Sequence, residues 1–458
     1  MNTPKVTDDA VVLEVTGGAG GVAAMYAPVR ELATSYDLTG DWLRERAACG
    51  RRVLGDPDLL ESGLLCPHTL VLAEAAVLDA TTGPDGLLVE SLGWELDARA
   101  IRCAVAVLEA ADEAAHDAVE AIDYAVGFTL GSRLGTVGPF VLPLAVAVAN
   151  HEGLVTGHPN VVEHLVNGGG GLLDGLPGGL LTGPTPTTET AAAELASLYG
   201  DDGSPVVRPL DLPIDGSNTQ PSSLAGLLAH LQQVAAISEG SNSPLNGTVE
   251  VQTVTGPDGR SHIVYLPGTD DLRTLPWTQD EDVRDMGTNL QLVAGQQDTY
   301  QEGVLQAMHD AGIRPGEPVL LVGHSQGGMV AAALAAGGSG YAVTNAITAG
   351  SPTAQVPDFP TGTHVLSLEQ HGDVVPLLDG EPNPDSLQQT TVLFNSDPEE
   401  GIVAHHDHEV YVAGAAVADA STHPSVVENV ASLHEHRFLG PGDAEVGSQV
   451  FQITRDPG

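Results

Sequence analysis

The chain has 458 residues, enough for two domains or more and for a substantial core. It carries 61 Asp plus Glu against 16 Lys plus Arg, a formal net charge of -45, and Lys5 is its single lysine. A surface this negative repels phosphate backbones and anionic bilayers, which argues against nucleic acid as a partner and against electrostatic docking on a membrane, and favours a neutral or apolar ligand.

From Met1 to Met25 there are acidic residues and no basic segment ahead of an apolar core, so no signal peptide is read. The strand-like run Val11 to Val15 leads into Thr16-Gly-Gly-Ala-Gly-Gly21 and then a helical pattern. The third glycine and second strand of a dinucleotide site are missing. Helical texture then extends to about Gly131. Met25, Val29, Leu32 and Ala33 fall on one face, and Leu92 to Tyr124 reads as one long helix. Cys49, Cys66 and Cys103 have no Cys-x-x-Cys spacing and are expected to be reduced core thiols, a Cys49–Cys66 bridge being the alternative. Leu134 to Ala149 is uncharged but broken by Gly135, Gly138, Pro139 and Pro143, which suits a buried helix pair better than a membrane span.

Residues 1–149 are therefore expected to form an all-helical bundle, followed by a Gly/Pro-rich connector over 150–221. Gly168-Gly-Gly-Gly171 and Pro184-Thr-Pro186 punctuate that connector, with a short helix over Ala191 to Tyr199. A third region, 222–458, opens on an amphipathic helix, Leu224 to Ala235. The runs Thr248–Thr255 and Ser261–Leu266 read as a hairpin. After Pro267-Gly268-Thr269-Asp270 comes an irregular stretch to Asn289, and Trp277 within it is expected on a lid. Asp298 is placed to cap a helix bearing Tyr300, Val304 and Met308. Tyr341 to Ala349 and Thr363 to Leu368 are further strands. Strand and helix alternate in this rhythm when a mostly parallel sheet is covered on both faces.

Chemistry concentrates at Gly323-His324-Ser325-Gln326-Gly327. This Gly-x-Ser-x-Gly stands between the apolar strand Val319 to Val322 and a small-residue helix, where a serine is exposed on a tight turn beside the N–H groups of a helix N-terminus. A serine hydroxyl needs a histidine to take its proton and a carboxylate to orient that histidine. Asp373, in Glu369-Gln-His-Gly-Asp373-Val-Val-Pro376, lies in the loop after a strand; Glu369 and Asp379 are its rivals. Three histidines follow in Ala404-His405-His406-Asp407-His408-Glu409-Val-Tyr411. A metal site at these histidines lacks the His-Glu-x-x-His helix, so no metal and no cofactor is expected.

Gly-His-Ser-x-Gly, Asp-x-Val-Pro and His-x-x-Tyr together resemble lipases of the α/β-hydrolase fold, in particular the fungal-lipase-like (class 3) group and uncharacterised actinobacterial α/β hydrolases with helical N-terminal regions. The Lys-poor, Ala- and Gly-rich composition also looks actinobacterial. Over Leu224 to Val430 the resemblance implies an α/β-hydrolase domain with Ser325 as nucleophile, Asp373 as orienting acid and His408 as general base, His405 and His406 being alternatives. It further implies an oxyanion site at the N–H groups of Thr269 and Gln326, and a carboxylic ester or lipid as substrate. A second reading stays open: an interaction protein, or an effector exported by a leaderless route, on a hydrolase scaffold that is catalytically inactive, with a protein partner for the helical region. Location in the cytoplasm or outside the cell, and oligomeric state, are left open too.

Overall fold

The computed structural model describes residues 10–134, 163–164, 166–175, 185–199, 203–238, 243–257, 259–396, 402–441 and 444–456. Its chain divides into two units: residues 23–117, and residues 1–22 with 118–458. The larger unit is mixed α/β. Among the described residues its nine strands are β1 (Val11–Gly17), β2 (Ser204–Leu210), β3 (Thr248–Gly256), β4 (Gly259–Leu266), β5 (Pro318–His324), β6 (Ala342–Ala349), β7 (His364–Gln370), β8 (Gln389–Asn395) and β9 (Glu445–Asp456). They form one sheet in the order β1-β8-β7-β6-β5-β4-β3-β9-β2. Neighbours from β4 to β8 are parallel, whereas β3, β9 and β2 on one side and β1 on the other are antiparallel.

The continuous apolar run of β5 is explained by burial on both faces. Successive side chains point to opposite sides of a strand, so Val319 and Leu321 enter one core while Leu320 and Val322 enter the other. Each such side chain, fully buried, contributes about 1.5–3 kcal/mol.

In the smaller unit, α1 (Val22–Arg52), α2 (Pro57–Leu65), α3 (Pro67–Thr82) and the first part of α4 (Leu87–Leu134) are all helical. Helices α1 and α4 run antiparallel: Tyr36 meets Trp94 edge to face, and Arg102 pairs with Asp37 at 2.6 Å. Of the face expected on α1, Ala33 is buried while Val29 and Leu32 are exposed, so alanine rather than large aliphatics makes this contact. Cys49, Cys66 and Cys103 are unbridged and exposed, not core residues.

The larger unit continues with α5 (Gly169–Gly175), α6 (Thr188–Ala196), α7 (Leu224–Ala235), α8 (Met286–Val293), α9 (Thr299–Asp310), α10 (Gln326–Ala336), α11 (Ile402–His405), α12 (His408–Asp419) and α13 (Pro424–Glu435). Tyr300 and Met308 of α9 and Val330 of α10 cover one sheet face; Leu227 of α7, Tyr411 of α12 and Leu433 of α13 cover the other. The Asp298 carboxylate caps α9 through Gln301 N.

Two boundaries differ from the sequence reading. The strand β1 belongs to the sheet rather than to a bundle over 1–149, because its backbone completes β8. The strand β2, inside the expected connector, likewise pairs with β9. The helix pair expected up to Ala149 lies outside the described residues. Among the described residues no helix is long and apolar enough to cross a membrane.

Candidate active site

Register aligns the carboxyl ends of the central strands: Leu266 sits beside Gly323, and Ala349 beside both His324 and Leu368. The segments that follow β4, β5, β6 and β7 therefore emerge along one sheet edge, where α/β sheets bind ligands.

Ser325 is the residue between β5 and α10. Its φ of 54° and ψ of -125° are a conformation that costs a non-glycine residue about 1–3 kcal/mol and persists only where surroundings enforce it. Enforcement is visible in the backbone: Ser325 N donates to Ala349 O at 2.9 Å, and Ser325 O accepts from Gly328 N at 3.0 Å. A Cβ at Gly323 would collide with Gly327 O, and one at Gly327 with Leu266 O, so the turn closes only with glycine at both places. Ser325 Oγ has no hydrogen-bond partner among the described residues.

Asp373 follows β7 and is 2% exposed. Its Oδ2 accepts from His406 Nδ1 at 2.6 Å and from Tyr411 OH at 2.6 Å, and its Oδ1 accepts from Val375 N at 2.9 Å. Of the rival carboxylates, Glu369 accepts from Asn383 Nδ2 and Asp379 from Ala354 N. Neither meets an imidazole among the described residues.

The histidine that Asp373 meets is thus His406, not His408. His405 ends α11, is 4% exposed, and takes a hydrogen bond from Gln370 Nε2 on Nδ1. His408 begins α12 and lies against His324, ring centroids 4.1 Å apart. Burial, then the neighbouring His406 and Arg284, holds His408 down to about 4, too weak a base for work near neutral pH. His406 stands between them on the turn that joins α11 to α12. With Nδ1 donating to Asp373, its Nε2 is the basic nitrogen. His324 Nε2 donates to His406 O at 3.0 Å and so holds that turn against the elbow. Burial first, then His408 and His406, keeps His324 well below the usual imidazole range, hence uncharged.

The N–H of Gln326 lies at the first position of α10, among the donors that a helix leaves without an internal partner. Its side chain donates to Asn289 Oδ1 at 3.0 Å, and Asn289 Nδ2 donates to Thr269 Oγ1 at 3.1 Å. This bridge ties the Pro267-Gly268-Thr269 turn to the elbow. Behind it the buried Arg284 clamps Asp270 through Nε at 2.8 Å and Nη2 at 2.9 Å.

Ser325, His406, Thr269 and Asn289 line one cavity of about 1000 Å³. The chain matches no protein-family model, no curated protein and no solved structure.

Trp277 is 79% exposed and takes no part in the cavity wall. Its walls come instead partly from α5 and α6, in the stretch read as a connector. Sequence reasoning also missed His324 as a brace and Tyr411 as a donor to Asp373. The Tyr411 signal was there, since a residue three places into a helix can reach back to the loops at the sheet edge. Nothing in the sequence distinguishes His324 as a brace.

Proposed function

We propose that the chain is a serine hydrolase of carboxylic esters built on an α/β-hydrolase fold, with Ser325 as nucleophile, His406 as general base and Asp373 as the acid that orients it. One observation carries the reading: a strained serine at a strand-helix turn opens into the same cavity as an imidazole whose far nitrogen is bonded to a buried carboxylate. In this reaction Ser325 Oγ attacks the carbonyl carbon while His406 Nε2 takes its proton. The carbonyl π pair becomes an oxyanion, received by the N–H groups of Gln326 and Thr269. The C–O bond to the alcohol then breaks, and His406 returns the proton to the departing oxygen. Water repeats the sequence on the acyl-serine and releases the carboxylic acid. The Ser325–His406 hydrogen bond forms as substrate enters, as is common for sites that are loose when empty.

A fluorophosphonate probe tests the assignment. Labelling of Ser325, lost in Ser325→Ala together with hydrolysis of p-nitrophenyl esters, is expected. A folded wild-type protein that neither labels nor hydrolyses any ester would overturn it and favour the inactive scaffold.

A further inference from the structure

Helices α5 and α6 lie outside the stretch that carries the catalytic signature, yet they wall the cavity over Ser325. On α6, Thr188, Ala191, Ala192 and Leu195 face that space at i, i+3, i+4 and i+7 spacing, the stripe a helix ordinarily buries against a partner. Leu290 and Val293 of α8 line it from another side. Asp407, Glu409 and Leu272 are exposed wall residues, whereas Ala191 and Ala192 are buried.

The roof is held in place. A Cβ at Gly170 would strike Thr185 O and one at Gly171 would strike Tyr124 O, so α5 lies backbone to backbone on its supports. Asp174 Oδ2 accepts from Tyr124 OH at 2.9 Å and from Thr185 N at 2.7 Å, joining the end of α4 to the segment that enters α6.

Resting on Ser325 as the nucleophile, we propose that α5 and α6 set the acyl preference of this site: Ala191 and Ala192 leave room beside Ser325 for an unbranched apolar acyl chain of medium length. The alcohol part leaves past Asp407 and Glu409. No Lys or Arg lines the cavity among the described residues, so that part is uncharged or cationic, and acyl groups carried on phosphorylated alcohols or thiols are poor substrates.

The test is the ratio of kcat/KM between longer p-nitrophenyl esters and the acetyl ester, for wild type, Ala192→Leu and Leu195→Ala. All three are first checked for folding by circular dichroism. In the wild type the ratio should rise about fourfold per methylene to a maximum and then fall. Ala192→Leu should move the maximum to shorter chains and Leu195→Ala to longer ones. A flat profile, or one identical in all three proteins, overturns the proposal even when Ser325 labels. If nothing labels and no ester is cleaved, the ester-hydrolase reading fails by itself. The chamber is then judged by binding of a dansyl-labelled decyl ester to Ser325→Ala: tenfold weakening by Ala192→Leu supports it, and unchanged binding overturns it. Decanoyl-coenzyme A turned over as well as a neutral decanoyl ester would refute the charge selection.

Discussion

Tyr411 OH and His406 Nδ1 donate to the same oxygen of Asp373, each at 2.6 Å. The phenol is fully buried, and burial together with the adjacent Asp373 pushes its own ionisation well above the usual range, so it stays a donor at any working pH. Removing it in Tyr411→Phe takes away one of the two donors that fix this oxygen and loosens the carboxylate that orients His406. Ester hydrolysis should then show a kcat lowered about tenfold, the scale of a lost hydrogen bond to a charged group. An unchanged kcat would reduce Tyr411 to packing.

The two neighbouring histidines His406 and His408 should separate cleanly on substitution. His406→Ala is expected to lower kcat by about a thousandfold, the usual worth of a general base. His408→Ala should cost tenfold or less and leave the pH dependence of kcat/KM between pH 5 and 8 unchanged, because a group held near 4 does not change charge in that range. Steady-state kinetics with a short p-nitrophenyl ester distinguishes the two.

Strain at Ser325 predicts a stability that rises as activity vanishes. Ser325→Gly removes the Cβ that φ of 54° disfavours, and should stabilise the protein by about 1 kcal/mol. Ser325→Ala keeps the Cβ and should not. Denaturant unfolding of both variants beside the wild type checks this.

Behind the Asp373 loop, burial pushes Asp379 up to about 8. Glu369 is also raised to about 8, by burial and then by Asp379. A carboxyl raised in the folded state holds a proton that the unfolded chain has already released above about pH 4. Its contribution to stability is complete below that point and is lost as pH rises towards 8, at no more than about 1.4 kcal/mol per pH unit for each group. The melting temperature should therefore fall from pH 5 to pH 8.5, and Asp379→Asn should flatten that slope.

What could be read beforehand follows from how local each signal is. The apolar run of β5, the β3–β4 hairpin, α7 and the Asp298 cap all announce themselves within a dozen residues, and the structure has them where the pattern put them. The strands β8 and β9 carry polar residues such as Gln389, Thr391, Gln449 and Gln452, and their pairing with β1 and β2 spans hundreds of positions. Choosing among His405, His406 and His408 depended on where one helix stops and the next starts, which composition cannot fix to a single residue. Gly168 to Gly171 read as part of a connector because glycine marks turns, yet it equally marks places where two backbones touch, as at Tyr124 and Thr185.

Because β1 pairs with β8, the helical unit is spliced into the sheet-bearing unit rather than hung in front of it. A shortened protein beginning at residue 118 would lose β1 and leave the outer edge of β8 open, an invitation to edge-to-edge aggregation. Excising 23–117 and rejoining the cut ends retains β1, and is the way to ask whether the sheet-bearing unit folds alone.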